Sequence, residues 1–151
     1  MTPDPLTILR TAGRALIQDG DAILVIRYSQ PSGDWYTLPG GGQRNSEPIT
    51  QTVAREVLEE TGAEVTVGQL RFVRECISGP HAPGVPEGYH QVDLVFACTL
   101  KTAPKRDARA DTNQTGVEWR TVAELRDVAF YPRPLLDAIE QEQLFGYLGV
   151  I

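Results

Sequence analysis

The chain has 151 residues, 41% of them hydrophobic and 23% charged, with a formal net charge of −6. This length fits one domain that buries a core without disulfides. An acidic chain is a poor partner for DNA or RNA, because binding their phosphate backbones needs clustered Lys and Arg. The longest aliphatic run, Ala22–Ile26, is too short to span a bilayer, and residues 1–10 lack the pattern of a secretory signal. We therefore expect one cytoplasmic domain over residues 1–151, frayed over residues 1–7, with neither a nucleic-acid polymer nor a membrane as partner.

The first third of the chain predicts a β-hairpin, a short strand and a helix. Two apolar runs, Arg10–Ile17 and Ala22–Tyr28, are separated by a segment that contains Asp19-Gly20, and Asp-Gly between such runs is a hairpin signal. Residues 35–42, WYTLPGGG, predict a strand that ends in glycines. The helix that follows is expected to end at Gly62.

The rest of the chain predicts strands, two short helices and two long loops. Two cysteines without CxxC spacing are expected to be free thiols. The pattern as a whole predicts a mixed α/β (α+β) fold. Strands are predicted within 63–78, 89–100 and 117–120, helical segments at 121–125 and 134–143, loops at 79–88 and 101–116, and an apolar tail that packs back at 145–151.

The predicted helix carries three glutamates on one face. Glu56, Glu59 and Glu60 fall within an arc of about 100°, which predicts an acidic ridge that points away from the core. Ser46 or Glu47 is expected to cap the start of the helix. The predicted packing face holds Val53, Ala54, Val57 and Leu58.

A cation between the three acids explains why they lie so close together. On its own, such a pattern of acids usually marks a solvent-exposed helix face that is supported by an ion pair such as Arg55 with Glu59. Here the sequence PGGG precedes the helix, and its glycines let backbone carbonyls approach the acids. Several carboxylates and a carbonyl are the ligands that Mg²⁺ or Mn²⁺ prefers, and such a cation removes the repulsion among the acids.

Residues 41–63 resemble the Nudix box, the pattern G-x5-E-x7-R-E-U-x-E-E-x-G-U in which U is aliphatic. All seven fixed positions match, and Ala63 departs from the larger aliphatic residue that is usual at the last position. The box covers 23 of the 151 residues, and Glu118-Trp119 ahead of AEL also resembles the family. The matching residues are Gly41, Glu47, Arg55, Glu56, Val57, Glu59, Glu60 and Gly62.

The resemblance, to MutT-like and ADP-ribose pyrophosphatase-like proteins, implies an α/β/α sandwich with a mixed sheet. It implies a pyrophosphohydrolase that cleaves a nucleoside diphosphate linked to another moiety, as in a nucleoside triphosphate, a nucleotide sugar or ADP-ribose. Glu56, Glu59, Glu60 and the Gly40 carbonyl would bind Mg²⁺ or Mn²⁺, and either Glu56 or Glu59 would be the general base. The alternative is a Nudix-fold module that senses a nucleotide without cleaving it, but such modules usually lose box acids and this chain retains them all.

Further roles follow from the resemblance. Glu47 and Arg55 would pair and hold loop and helix in register. Many relatives supply one more acid from a loop, for which Glu87, Asp111 and Glu118 are the candidates. In several relatives a glutamate lies five or six residues before a tryptophan such as Trp119. At these two positions this chain has Gln114 and Asn113.

Substrate contacts are expected from the glycines and from the loops. The two long loops would set specificity, and the N-terminal hairpin and apolar tail offer surfaces for a homodimer. Arg14, Arg27 and Arg74 could reach phosphates, or pair with one of the 20 acids. Trp35, Tyr36, Tyr89, Phe130 and Tyr131 could stack on a base or belong to the core. The predicted substrate-binding residues are Gly41, Gly42, Arg27, Glu87 and Asp111.

Overall fold

The structure is a computed structural model that describes residues 9–80, 85–110 and 113–151. The expectation that residues 1–7 are frayed lies outside the described residues. Helix α1 spans Ile49–Thr61, α2 Val122–Arg126 and α3 Pro134–Glu140. The strands are β1 Leu9–Asp19, β2 Ala22–Gln30, β3 Gly33–Thr37, β4 Gly40–Gly42, β5 Val65–Ile77, β6 His90–Leu100, β7 Gln114–Thr121, β8 Phe130–Tyr131 and β9 Gly146–Val150.

The strands form a mixed sheet that divides into two parts. In the first part, β1 is parallel to β6 and antiparallel to β4, while β5 lies between β6 and β9. In the second part, β2 pairs with β3 and β7, and β3 pairs with β8. β1 and β2 pair only beside their turn, at Gln18 with Ile23 and Asp19 with Ala22. The two parts therefore diverge away from the hairpin turn and leave a cleft between them.

Helices cover both faces of this sheet. Along β2 the side chains alternate, so that Leu24 and Ile26 belong to the cluster that contains Val53 and Val57 of α1. Ile23 and Val25 point to the opposite face and join the second cluster. That cluster also contains Leu125 of α2 and Leu135 and Leu136 of α3. The predicted α/β/α arrangement with a mixed sheet is confirmed.

Helix α1 differs from its sequence prediction on two sides. Leu58, predicted to pack, is 50% exposed, whereas Glu60, predicted to point away from the core, is only 3% exposed. The predicted caps are also wrong, because the helix starts after Pro48 without a side-chain cap. The C-terminal prediction is confirmed: Gly62 has a left-handed backbone with φ 74°, and its N–H donates to the Leu58 carbonyl.

Other predicted features are present in the described residues. The apolar tail packs back as β9, parallel to β5. Cys76 and Cys98 are free thiols. Within residues 9–80, 85–110 and 113–151, no helix is long and apolar enough to cross a membrane.

The burial difference between Val57 and Leu58 gives a matched test of the packing of α1. Val57→Ala should lower the free energy of unfolding by about 2 kcal/mol, because the fully buried side chain would leave a cavity. Leu58→Ala should change it by less than about 0.5 kcal/mol, since half of that side chain is in solvent. Urea denaturation of both variants measures the difference, and equal losses would contradict this orientation of the helix.

Candidate active site

The glycine strand β4 brings the backbone close to β1. Gly40 lies opposite Arg14 in the β1–β4 ladder. A Cβ atom at Gly40, whose φ is 150°, would lie 2.1 Å from the carbonyl oxygen of Gly13. Only glycine accommodates both the conformation and this contact, so the turn before α1 depends on a residue without a side chain.

Glu56 occupies space that a side chain at Gly41 would fill. A Cβ atom at Gly41 would lie 2.5 Å from Cδ of Glu56 and 2.7 and 2.8 Å from its carboxylate oxygens. The glycine therefore allows the Glu56 carboxylate to lie directly against the backbone of β4.

Glu47 and Arg55 form a two-point ion pair that joins the loop to the helix. Nε of Arg55 donates to Oε2 of Glu47 at 2.8 Å, and Nη2 donates to Oε1 at 3.0 Å. Nη2 also donates to the Gly42 carbonyl at 3.1 Å. Glu47 accepts further hydrogen bonds from the Thr52 hydroxyl and the Arg44 N–H. These bonds, above all those from Arg55, lower the pKa of Glu47 to about 2.

This pairing explains why Glu47 does not cap the helix. Its carboxylate is engaged by Arg55 and Thr52, and its backbone precedes Pro48, which occupies the cap position. Ser46 has a left-handed backbone with φ 64° and likewise makes no cap.

Glu60 is buried against the glycine turn. Its Oε1 accepts a hydrogen bond from the Gly40 N–H at 2.9 Å, and its Oε2 accepts one from the Tyr28 hydroxyl at 3.4 Å. Burial raises the pKa of the carboxyl to about 7, although the positive charge of Arg14 acts in the opposite direction. Glu56 contributes to the increase through like-charge repulsion.

Glu59 is the solvent-facing acid of the three. Its side chain is 42% exposed and lies 3.5 Å from Nη1 of Arg55 and 4.0 Å from Nη2 of Arg44. The same Nη1 of Arg55 donates to Glu56 at 2.8 Å. Within the described residues, no three His, Cys, Asp or Glu side chains are close enough to form a preassembled metal cluster.

The residues present nevertheless fit a hard divalent cation. All candidate donors are oxygens, from carboxylates and from the carbonyl of Gly40. That carbonyl accepts from Nη1 of Arg14 at 3.2 Å and retains a second lone pair. The buried Glu60 carboxylate, with Glu56 as a like-charged neighbour, is stabilised by any added positive charge.

Two other predicted residues lie in a separate ion-pair network. Nη1 of Arg27 is 3.5 Å from Glu118, and its Nε donates to the Thr115 hydroxyl at 3.1 Å. Glu118 also accepts from Arg120 at 2.9 Å. Arg27 adjoins Tyr28 on β2 and therefore points to the opposite face of the strand. The structure does not bring Arg27 or Glu118 to the box glutamates, so their roles at the site stay predictions.

The remaining candidates are distributed over the loops. Glu87 is exposed, with no ion pair to another described residue, and Asp111 lies outside the described residues. Gln114 is fully buried: its Nε2 donates to the carbonyls of Glu60 and Ala108 at 2.8 and 2.9 Å. Where several relatives carry a glutamate, this chain thus has an amide that ties the end of α1 to the loop before β7.

A buried charge network was missed by the sequence reasoning. Arg14 and Arg74 both lie close to Asp93, and Nη1 of Arg74 donates to its Oδ2 at 2.6 Å. Arg14 also donates to the Leu38 and Gly40 carbonyls, which links this network to the glutamate site. The available signal was an aspartate inside the otherwise apolar run VDLVF of β6, because an acid buried in a strand needs a positively charged partner.

The cleft between the two parts of the sheet adjoins the glutamates. Gly40 and Tyr28, both bonded to Glu60, line a cavity of about 670 Å³. Trp35, Tyr89 and Tyr131 also line it. Of the five aromatics that were candidates for stacking, Tyr36 and Phe130 are buried in the core instead.

Comparison with known proteins finds a family model and similar sequences over most of this chain. The family model described as "NUDIX domain" matches residues 8–139. A "MutT-like protein" from Streptomyces ambofaciens is 34% identical over 141 residues, which cover 92% of this chain and 81% of that protein.

Solved structures show the same fold. A NUDIX hydrolase from Nitrosomonas europaea superposes with a TM-score of 0.74 at 19% identity, over 91% of this chain and 93% of that chain. A MutT NUDIX hydrolase from Burkholderia pseudomallei gives a TM-score of 0.69 at 23% identity, over 91% of this chain and 98% of that chain.

The Glu47–Arg55 ion pair predicts an acid-dependent loss of stability. Because the pKa of Glu47 is about 2 when folded and its ordinary value is 4.5, its contribution to stability is complete above pH 4.5. That contribution is lost as the pH falls towards 2. The difference in the free energy of unfolding between wild type and Glu47→Gln, measured with urea, should therefore shrink over this range. Arg55→Gln is the control: it removes the partner of Glu47, so its free energy of unfolding, like that of Glu47→Gln, should change less with pH over this range than that of the wild type. A difference between wild type and Glu47→Gln that is constant with pH would contradict the assignment.

Proposed function

The chain belongs to the Nudix hydrolase family, and on this premise we propose that it is a Mg²⁺-dependent pyrophosphohydrolase. Its substrate would be a nucleoside diphosphate linked to another moiety: a nucleoside triphosphate, a nucleotide sugar or an ADP-ribose type of compound. The observation that carries the proposal is the approach of Glu56 and Glu60 to the glycine strand, at the edge of the cleft.

The box residues have separate parts in this proposal. Glu56, Glu59, Glu60 and the Gly40 carbonyl would hold Mg²⁺ or Mn²⁺. A divalent cation bound there would supply charge neutralisation for the diphosphate and activation of the attacking water. The carboxylate of either Glu56 or Glu59 would take the proton from that water.

Arg55 and Glu47 would act by positioning. Arg55 contacts Glu47, Glu56 and the Gly42 carbonyl at once, so it holds the loop, helix and glycine strand together. The Gly40 N–H fixes one oxygen of Glu60. These contacts support a rigid carboxylate set, which a reaction that depends on placement of charge requires.

A small nucleotide is the substrate class that the surface favours. The net charge of −6 is unsuited to a polymer backbone, whereas a local cation can still attract a small anionic nucleotide. Four further expectations stay predictions: substrate contacts from Gly41, Gly42, Glu87 and Asp111, a single domain over residues 1–151, a cytoplasmic location and a homodimer.

A panel of substrates tests the reaction. Nucleoside triphosphates, nucleotide sugars and dinucleoside polyphosphates would be incubated with and without Mg²⁺ or Mn²⁺, and phosphate, pyrophosphate and nucleoside monophosphate measured separately. We expect metal-dependent release of a nucleoside monophosphate from one class, because the attack falls on the diphosphate linkage. No cleavage of any member with either metal would overturn the proposal.

The box acids should be required for turnover. Glu59→Gln and Glu60→Gln should each lower kcat by orders of magnitude on the substrate that the panel identifies, since each removes a negative oxygen from the proposed metal site. Glu64→Gln, just beyond the end of α1 and exposed, is the matched control and should retain activity. Normal turnover in both box variants would rule out a metal site at these acids.

Binding of the cation can be measured without turnover. Mg²⁺ or Mn²⁺ should raise the melting temperature of the wild-type protein by mass action. The double variant Glu56→Gln/Glu60→Gln should lose this shift, while Glu64→Gln keeps it. An equal shift in the double variant would show that the cation binds elsewhere.

A further inference from the structure

Arg14 holds the glycine turn from the side of β1. Its Nη1 donates to the carbonyls of Leu38 and Gly40, at 3.3 and 3.2 Å. The N–H of the next residue, Ala15, donates to the intervening Pro39 carbonyl at 2.8 Å. Three consecutive carbonyls therefore accept hydrogen bonds from two neighbouring residues of β1, and the last of the three is a proposed ligand of the cation.

Two carboxylates from different elements attract the Arg14 guanidinium. Asp93 lies on β6, and its Oδ2 is 3.7 Å from Nε of Arg14. Glu60 lies on α1, where burial raises its pKa and the charge of Arg14 is the largest effect in the opposite direction. Burial acts to lower the pKa of Arg14, but Asp93 and, after it, Glu60 raise it above its ordinary value. Among the residues that the structure describes, Arg14 nevertheless forms an ion pair with Asp93 and none with Glu60.

Asp93 is held in place from two strands. Nη1 of Arg74 on β5 donates to its Oδ2 at 2.6 Å, and Nε2 of Gln91 on β6 donates to its Oδ1 at 2.8 Å. Gln91 is itself fixed by the Tyr89 hydroxyl, which donates to its Oε1 at 2.6 Å. The side chains of Asp93 and Arg74 are only 2% and 8% exposed, so water screens their charges little. The network therefore presents Arg14 with a carboxylate whose position is set by other residues.

Stability alone does not account for this buried network. The attraction within a buried ion pair hardly exceeds the cost of its desolvation, and apolar side chains of similar volume often stabilise a fold equally well. In contrast to Arg74, Arg14 makes no hydrogen bond to Asp93, because its buried Nε has no acceptor among the described residues. The attraction between Arg14 and Asp93 is thus electrostatic, and Arg14 is free to turn towards Glu60 once the charge of Asp93 is removed.

An ion pair between Arg14 and Glu60 would compete with a cation. A guanidinium group engages both oxygens of a carboxylate and neutralises its charge. In the observed arrangement Glu60 accepts one hydrogen bond on each oxygen, from the Gly40 N–H and the Tyr28 hydroxyl, and keeps its charge for another partner. A positive charge that moves closer to a bound cation also repels it.

We propose that Asp93 is a positioning residue that keeps Arg14 on the glycine turn and away from Glu60, so that Glu60 remains available to the divalent cation. The inference rests on the proposed function above, in which Glu60 and the Gly40 carbonyl are ligands. It assigns Arg14 to pairing with an acid and not to direct contact with a phosphate. Asp93, buried on β6, acts only through Arg14.

The affinity for Mn²⁺, measured without substrate, tests this role. A titration followed by the electron paramagnetic resonance of free Mn²⁺ would compare wild type with Asp93→Asn, which removes the charge and keeps the shape. We expect Asp93→Asn to weaken binding at least about tenfold, as substitution of residues that orient metal ligands does. Unchanged affinity would overturn the proposal.

Asp34→Asn is the matched control for the lost charge. Asp34 lines the same cavity and accepts a hydrogen bond from the Ser29 hydroxyl, but its side chain is exposed. Because solvent and salt screen an exposed charge, this variant should bind Mn²⁺ within about twofold of wild type. A loss as large as that of Asp93→Asn would mean that the charge of the cleft as a whole, and not the position of Arg14, sets the affinity.

A second substitution separates positioning from damage to the fold. In the Arg14→Met background no guanidinium is left to pair with Glu60, so adding Asp93→Asn should change the Mn²⁺ affinity by less than about twofold. A loss in that background as large as in the wild-type background would mean that Asp93 acts by another route, and would overturn the proposal. Thermal melting in EDTA checks that each variant folds.

Nuclear magnetic resonance of the wild-type protein decides the question if a variant does not fold. Without metal, correlations across hydrogen bonds should connect the Arg14 guanidinium to the carbonyls of Leu38 and Gly40. Correlation to the Glu60 carboxylate instead would show that Arg14 already pairs with this acid, which contradicts the proposal.

Failure of this proposal is distinguishable from failure of the hydrolase proposal. A protein that binds Mn²⁺, loses this affinity in Asp93→Asn and cleaves no member of the substrate panel would retain the positioning role and lose the reaction. A metal-dependent hydrolase whose Mn²⁺ affinity is unchanged in Asp93→Asn would retain the reaction and lose the positioning role.

Discussion

The close approach of the glycine strand to β1 and α1 is the constraint on which the rest of the site depends. A side chain at Gly40 would collide with the backbone of β1, and one at Gly41 with the Glu56 carboxylate. Because the backbone itself fills this space, its N–H reaches Glu60 and its carbonyls reach Arg14 and Arg55. A larger residue would separate helix and strand, and these contacts would be lost together.

The charged residues around this turn form two linked groups. Arg55 neutralises acids of the box on the solvent side of α1, while Arg14 lies between Asp93 and the glycine turn on the cleft side. Buried carboxylates are stable only when they are paired or hydrogen-bonded. Glu60 has hydrogen bonds but no ion pair within the described residues, and its raised pKa reflects that burial. A divalent cation would complete the balance.

The cleft results from the topology of the sheet. Since β1 and β2 pair only at their turn, two sets of strands separate and expose different chemistry to each other. Residues on β2 and β3 supply aromatic rings, and residues on β5 and β6 supply the polar network. The box glutamates and the cleft meet at Gly40 and Tyr28, because both residues line the cavity and donate hydrogen bonds to Glu60.

The sequence by itself determined the local features: the hairpin, the helix and its end at Gly62, the later strands and the family. Each depends on neighbouring residues, through strand alternation, turn chemistry and the spacing of the box. Only the tertiary structure decided that Glu60 is buried while Leu58 is exposed, since helical periodicity gives relative angles but not which arc meets the sheet. It also decided that Arg14 and Arg74 share Asp93, and that Arg27 lies with Glu118. Such pairings join strands distant in sequence, so no local pattern contains them.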